Sequence, residues 1–313
     1  MTANSQSPVF VSSAAAQAVF RWKDAIAALQ AAYGQHLPAR ATPPRTVASL
    51  EKTWLRTLPA IPAGGRYYGA KLMGSNMGDA PPGIEYVIVL FDRTTNRIAA
   101  FIDANLVTGF RTAATSAAAL DRLAPQRPAR LAVIGSGLEA SMHIRAFASV
   151  RELTEIIVFS PTFERREAFA ASATRDLGVP ARGVGSAQEA VEGADIVLTA
   201  ARSRDEKPIL FGDWLKPGAT VVSIGSTIPE QREIDVSVVE RSDLIICDTL
   251  EEVLEETGDM LAAHAAGIEF RQKAFSLSDL MSGACSDQLK QAKAPMFKSV
   301  GGGLQDIVVA ELI

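Results

Sequence analysis

Side chains that do chemistry unaided are scarce in this chain. Its 313 residues include two cysteines and three histidines. Cys247 and Cys285 form no CxxC pair, and His36, His143 and His264 are too scattered for HExxH-type zinc ligation. Neither a disulfide scaffold nor a metal centre is expected, and a reducing compartment fits. What the sequence offers is a glycine loop and a few separated cations. Leu131-Ala-Val-Ile-Gly135-Ser136-Gly137-Leu138-Glu139-Ala140 reads as a strand running straight into G-x-G-x-x-A and then a helix. In such a loop Gly135 permits a sharp turn, Gly137 lets the backbone approach a pyrophosphate, and Ala140 keeps helix and strand close. The helix start adds free N–H groups and a positive dipole end. Glu139 suits the dipole but has to point away from a phosphate. In isolation the loop reads equally well as a structural turn. At the head of consecutive β-α units it reads as a dinucleotide site.

The end of the second strand separates NAD from NADP. A carboxylate there binds a ribose 2′-hydroxyl, whereas small polar residues and arginine accommodate a 2′-phosphate. The chain has Ser160-Pro161-Thr162 followed by Arg165 and Arg166, which favours NADP(H) over NAD(H). The alternative is that both arginines decorate a solvated helix face. Upstream, Arg45 follows Pro43-Pro44, Lys71 closes Tyr68-Gly-Ala-Lys71, and Arg111 heads Arg111-Thr-Ala-Ala. Brought together, these cations would make an anion site, because a guanidinium grips a carboxylate in a two-pronged fork. Left apart, they are surface charges. Spacing does not choose between the two.

Two kinds of element must position these residues. Ala124-Pro125-Gln126-Arg127-Pro128 sets two prolines between an Ala-rich helix and an apolar strand, a credible boundary. Before it, Phe10-Val11 reads as a short strand and Trp22 to Tyr33 as an amphipathic helix. Tyr67 to Met73, Glu85 to Phe91 and Arg97 to Asp103 read as an antiparallel meander. After it come short continuous apolar runs beginning at Arg130, Glu155, Asp195, Thr220 and Leu244, with helical segments between them. That pattern indicates buried parallel strands with crossover helices. The expected fold is α/β: a Rossmann-type doubly wound parallel sheet over 126–300, plus a second α/β (α+β) domain over 1–125.

With 31 Lys+Arg against 35 Asp+Glu, the net charge of −4 lacks the basic field of a nucleic-acid binder. No apolar run reaches the roughly 18 residues of a membrane helix. The N-terminal MTANSQSPVF has no basic or apolar leader region, so the expected location is cytoplasmic.

Over essentially its full length the chain resembles the ornithine cyclodeaminase/μ-crystallin family. The matching stretches are Thr42-Pro-Pro-Arg45, Tyr67-Tyr-Gly-Ala-Lys71, Thr108-Gly-Phe-Arg111-Thr-Ala-Ala, the glycine loop, Pro229-Glu-Gln-Arg-Glu233-Ile-Asp235, Glu256-Thr-Gly-Asp259 and Phe297-Lys-Ser299-Val300-Gly301. The resemblance implies a Rossmann domain and a substrate-binding domain that mediates homodimerisation, joined by a C-terminal helix over about 301–313. It implies that Arg45, Lys71 and Arg111 hold a substrate α-carboxylate, and that Ser299 and Val300 lie against the nicotinamide. Lys71 then either shares the clamp or donates a proton to an imine nitrogen; an ammonium beside arginines and an anion favours the clamp.

The family's activities include cyclodeaminases, amino-acid dehydrogenases and imine reductases. Its cyclodeaminases carry an Asp in a GGDxPGKxEL segment. The corresponding run here, Gly225-Ser226-Thr227-Ile228-Pro229-Glu230-Gln231-Arg232-Glu233-Ile234, has Thr227 at that place. A threonine hydroxyl cannot serve as a general base near neutral pH. The resemblance therefore implies an NAD(P)H-dependent oxidoreductase acting on the C=N or CH–NH bond of an imino or amino acid. Ornithine cyclodeamination and cofactor-dependent ligand binding without turnover are the alternatives. Trp54, Arg56, Met73 and Asn76 are candidates to line the substrate pocket. Several other residues read as structural: Glu233 and Asp235 at a helix start, Asp259 and Asp306 as helix-start acids, His143 in packing or at the surface, and Cys247 as a buried thiol.

Overall fold

A computed structural model of the chain describes residues 7–76, 83–201 and 205–313. Residues 1–6, which carry most of the N-terminal reading above, lie outside the described residues. Packing divides the chain into two units, one running up to Arg111 and including Gly302–Ile313, the other Thr112–Gly301. The division falls inside the helix Asn105–Leu123, upstream of the boundary expected at Pro125. The physical reason is that the later half of this helix belongs to the second unit. Ala113, Ala114, Ala117 and Ala118 are fully buried. Ser116 Oγ lies 3.0 Å from His143 Nε2, and Arg151 Nη2 donates to the carbonyls of Asp121 and Ala124 at 3.4 and 3.3 Å. Alanine lets backbones approach, and the arginine satisfies carbonyls that the helix end leaves open. The two prolines do end the helix; they do not mark where packing changes.

The first unit holds a six-stranded sheet in the order β1-β6-β5-β4-β3-β2. Its strands are β1 (Val9–Val11), β2 (Thr46–Leu50), β3 (Thr53–Ala60), β4 (Tyr67–Asn76), β5 (Ile84–Asp92) and β6 (Ile98–Asp103). β2 to β6 form an antiparallel meander, and β1 joins β6 in parallel. The helix Trp22–Tyr33 has the bounds its periodicity implies. The C-terminal helix Gly303–Ala310 packs on β3, β4 and β5. It comes close because Gly303 has no Cβ: one built there would sit 2.6 Å from the Pro59 carbonyl oxygen.

The second unit holds an eight-stranded sheet, every pairing parallel. Its strands are β7 (Ala129–Ile134), β8 (Leu153–Phe159), β9 (Ala181–Gly183), β10 (Ile196–Thr199), β11 (Thr220–Ser223), β12 (Leu244–Cys247), β13 (Ala274–Ser276) and β14 (Pro295–Lys298). The order is β13-β12-β14-β11-β10-β7-β8-β9. β10, β11, β12 and β14 are buried at every position, as strands covered on both faces must be. No described helix is long and apolar enough to cross a membrane.

Candidate active site

In the second unit the glycine loop forms at the end of β7. Gly135 has φ +122°, and a Cβ there would meet the Ala200 carbonyl oxygen at 2.6 Å, so the turn demands glycine. Gly137 precedes the helix Leu138–Val150 and has the opposite character. A Cβ there would meet nothing within 4 Å, and no side chain caps the first turn. Open space above bare helix-start N–H groups fits a pyrophosphate. Ser136 Oγ donates to Ser160 Oγ at 2.9 Å, tying the loop to the end of β8. Leu138 is exposed and Ala140 buried.

Glu139 is turned inward, its Oε2 3.7 Å from His143 Nδ1. That ring is fully buried, with Nδ1 2.7 Å from the Glu139 carbonyl oxygen and Nε2 on Ser116. Beyond Ser160, Thr162 and Arg165 are exposed at the start of the helix Phe163–Leu177. Arg166 is instead held in place, donating to the Ser160 carbonyl at 3.1 Å and lying 5.1 Å from the Phe163 ring centroid.

A buried polar network fixes two further segments of this unit. Lys298 Nζ lies 2.8 Å from both Asp259 Oδ2 and Ser223 Oγ. Ser223 Oγ donates to Glu233 Oε2 at 2.7 Å, which also accepts from Gly225 N–H at 2.8 Å. Glu233 Oε1 accepts from Ala201 N–H at 3.0 Å. Burial pushes the Glu233 carboxyl upward, and Lys298 opposes the shift. Glu233 is therefore not at a helix start, where the sequence put it. Asp259 does lie in the first turn of the helix Gly258–Ala265, but its carboxylate accepts from Lys298 and from the Glu233 and Ile234 N–H groups. Both are fully buried anchors for the loops after β10 and β11. Asp235, by contrast, does cap a helix, accepting from Ser237 N–H at 2.9 Å. Thr227, half-buried on the loop so anchored, donates its hydroxyl to Gln231 Oε1 at 3.0 Å. Ser299, Val300 and Gly301 are gathered onto one carboxylate: Asp248 accepts from Ser299 Oγ, Val300 N–H and Gly301 N–H at 2.6, 3.0 and 2.8 Å. Sequence reasoning missed Asp248, whose only signal was its place directly after β12. Cys247 is buried, which pushes its thiol up and leaves it inert.

The cations sit in the first unit. Lys71, on β4, is 1% exposed, and its Nζ lies 2.8 Å from Oδ1 of the fully buried Asp306. Arg111 Nε approaches the same oxygen at 3.1 Å, and its Nη1 donates to Gln305 Oε1 at 3.0 Å. Gln305 in turn donates to Tyr33 Oη at 3.0 Å. Lys71 and Arg111 thus converge, as an anion site requires. Arg45 is half-buried in the extended segment just before β2. Asp306 does lie in the first turn of its helix, as the sequence suggested, and it is also the counter-ion that lets two cations be buried side by side. The Lys71 ammonium is pushed down to about 8, by burial first and by Arg111 second, with Asp306 opposing. The sequence argument favoured the clamp role from the neighbouring charges alone; the burial that lowers the ammonium is a feature of the tertiary structure. No metal-binding group of His, Cys, Asp and Glu occurs among the described residues.

Comparison with known proteins adds to this geometry. A model of the ornithine cyclodeaminase/mu-crystallin family matches residues 8–313. The ketimine reductase mu-crystallin of Rattus norvegicus is 33% identical over 276 residues, covering 87% of this chain and 83% of that protein. The Δ1-pyrroline-2-carboxylate reductase of Paracoccus denitrificans is 28% identical over 326 residues, covering 100% and 98%. In three dimensions the chain is similar to the Thermococcus litoralis Δ1-pyrroline-2-carboxylate reductase, a structure holding NADH and L-proline. The TM-score is 0.88 at 24% identity, over 97% of this chain and 95% of that one. That likeness establishes the fold.

Proposed function

Because the chain belongs to the ornithine cyclodeaminase/mu-crystallin family, we propose that it is an NAD(P)H-dependent reductase of imines that carry an adjacent carboxylate. The observation that carries this reading is the buried Lys71 beside Arg111 and Asp306. Arg111 and Lys71 supply the positive charge that grips a carboxylate, and Arg45 adds to the clamp. An ammonium whose pKa sits at about 8 also has a proton to give near neutral pH. Lys71 Nζ therefore protonates the imine nitrogen as the C=N bond is reduced, and the product is an amine at the former imine carbon. A nicotinamide cofactor, when bound, would supply the hydride that this carbon receives. Asp306 holds both cations in place before the substrate arrives.

Dinucleotide binding falls to the loop Gly135 to Ala140, with Gly137 as the point of backbone approach. Ser299 and Val300, held by Asp248, face the nicotinamide. NADPH is the preferred cofactor: Ser160 offers no carboxylate, and the exposed Thr162 and Arg165 suit a 2′-phosphate. Cyclodeamination is disfavoured by Thr227, whose hydroxyl is engaged by Gln231 and lacks the basicity to activate an amine nucleophile. The protein acts as a homodimer through the outer face of the six-stranded sheet, where an apolar groove of about 470 Å³ is lined by Pro59, Ala70, Leu72 and Val89. Phe10 and Leu55, exposed at 68% and 46%, line a neighbouring groove with Leu72, an apolar surface of the kind that marks an interface.

One panel tests the reading: NADPH and NADH with Δ1-pyrroline-2-carboxylate, pyruvate plus ammonia, and ornithine. Imine-dependent oxidation of NADPH is expected, with NADH at least about tenfold poorer in kcat/KM, since a good charged contact contributes that much. Proline and ammonia from ornithine without net NADH would establish the cyclodeaminase instead. Tight NADPH binding with no reduction of any imine would identify a binding protein.

A further inference from the structure

In an open parallel sheet a ligand lies at the carboxyl ends of the strands, where the strand order reverses. Here β7, β8 and β9 run to one side of that point, and β10 and β11 to the other. The reversal therefore falls between β7 and β10. The end of β8 takes the adenine ribose of a dinucleotide, which leaves the nicotinamide half to the ends of β10, β11 and β14. One carboxylate ties these ends together. Glu233 Oε1 accepts from Ala201 N–H, just after β10. Its Oε2 accepts from the hydroxyl of Ser223, the last residue of β11, and from Gly225 N–H beyond it. Ser223 Oγ in turn accepts from Lys298, the last residue of β14, which leads directly into Ser299 and Val300.

The loops are moulded to this carboxylate. A Cβ on Gly225 would lie 2.6 Å from Glu233 Cδ, so the carboxylate fills the space a side chain would need. The segment that Glu233 holds is also the one on which the glycine loop turns. A Cβ on Gly135 would meet the Ala200 carbonyl oxygen at 2.6 Å and Ala201 Cβ at 3.1 Å. Glu233 is itself fixed along the backbone, its N–H donating to Asp259 Oδ1 at 2.9 Å and its carbonyl accepting from Ile209 N–H at 2.8 Å. The carboxylate accepts in each of its three contacts, so the ionised form fits this cage and a neutral amide does not. Burial makes that ion costly to keep. For stability alone, apolar side chains of the same volume would serve as well. A fully satisfied polar network instead fixes one arrangement of the segments it joins.

We propose that Glu233 is a positioning residue for the nicotinamide half of the cofactor. Fully buried, it acts through the ends of β10, β11 and β14, which its carboxylate sets against the glycine loop. The proposal rests on the dinucleotide-site reading of that loop, not on the imine chemistry.

The test compares two ligands that share the adenine half. NADPH and 2′-phospho-ADP-ribose are titrated calorimetrically into wild type, Glu233→Gln and Ser223→Ala, with thermal melts alongside; NADH and ADP-ribose form a parallel pair. Glutamine keeps the shape but turns an amide NH2 toward groups that themselves donate. Ser223→Ala keeps the carboxylate and cuts only its link to Lys298, so it reads the same network if Glu233→Gln does not fold. Wild type is expected to bind NADPH more tightly than 2′-phospho-ADP-ribose. In Glu233→Gln the NADPH affinity should fall about 10-fold or more, the range for a hydrogen bond to a charged group. The affinity for 2′-phospho-ADP-ribose should barely change. Ser223→Ala should show the same split at smaller size. A folded Glu233→Gln protein that weakens both ligands equally, or neither, overturns the proposal. So does a Ser223→Ala protein without the split where Glu233→Gln fails to fold. A wild type that binds neither pair overturns the dinucleotide reading and this one with it. If the split is found but no imine is reduced, the reductase reading fails and the role of Glu233 stands.

Discussion

At the scale of single residues, Lys71 carries the most chemistry and the clearest pH signature. Its ammonium is the proton-donating form, and burial and Arg111 bring its pKa down to about 8. The kcat/KM for imine reduction is therefore expected to fall as pH rises through about 8. A bound carboxylate adds negative charge beside Nζ and favours the ammonium, so the fall in kcat should come at higher pH than the fall in kcat/KM. Lys71→Met should remove the break and slow single-turnover reduction by about 10²-fold or more. A variant that only weakens substrate binding, with its chemical step intact, would leave Lys71 as an anchor. Lys71 and Arg111 were legible in the sequence by type and by the motifs that carry them. Asp306 was not, because it pairs with Lys71 across 235 positions and nothing in Leu304-Gln305-Asp306-Ile307 distinguishes it from an acid at a helix start.

At the scale of elements, the glycine loop separates two demands that look alike in a motif. Gly135→Ala is expected to destabilise the protein by roughly 1–3 kcal/mol, since its φ of +122° and the Ala200 carbonyl admit no side chain. Gly137→Val should melt close to wild type and lose NADPH affinity, because its side chain would project into the space assigned to the pyrophosphate. Fluorescence titration with NADPH alongside thermal melts checks both; an unchanged affinity in Gly137→Val would remove the pyrophosphate from that space. The five short apolar strands β7, β8, β10, β11 and β12 and the helix Trp22–Tyr33 were readable because continuous burial and periodicity leave strong patterns. β9 and β13 have three residues each, too few to show a period. β2 is exposed at every position, so it has no apolar alternation to read. β14 begins at Pro295 and enters between β11 and β12, a placement set by pairing partners far away in the chain.

At the scale of the whole molecule, the net charge of −4 says nothing of the cations that matter, and composition is silent on assembly. The outer sheet face predicts a dimer in sedimentation velocity. Leu72→Glu, which sets a charge in its apolar groove, should shift the protein to monomer; a wild type that sediments as monomer would retire the interface. By itself the sequence determined the two architectures and the glycine loop, because these rest on local pattern and residue type. Only the tertiary structure decided that Lys71 is buried against Asp306, that Asp248 gathers Ser299 to Gly301, that packing divides the chain within a helix, and that Glu233 joins the loops after β10 and β11. Burial and long-range pairing set pKa and orientation, and both depend on which distant segments meet.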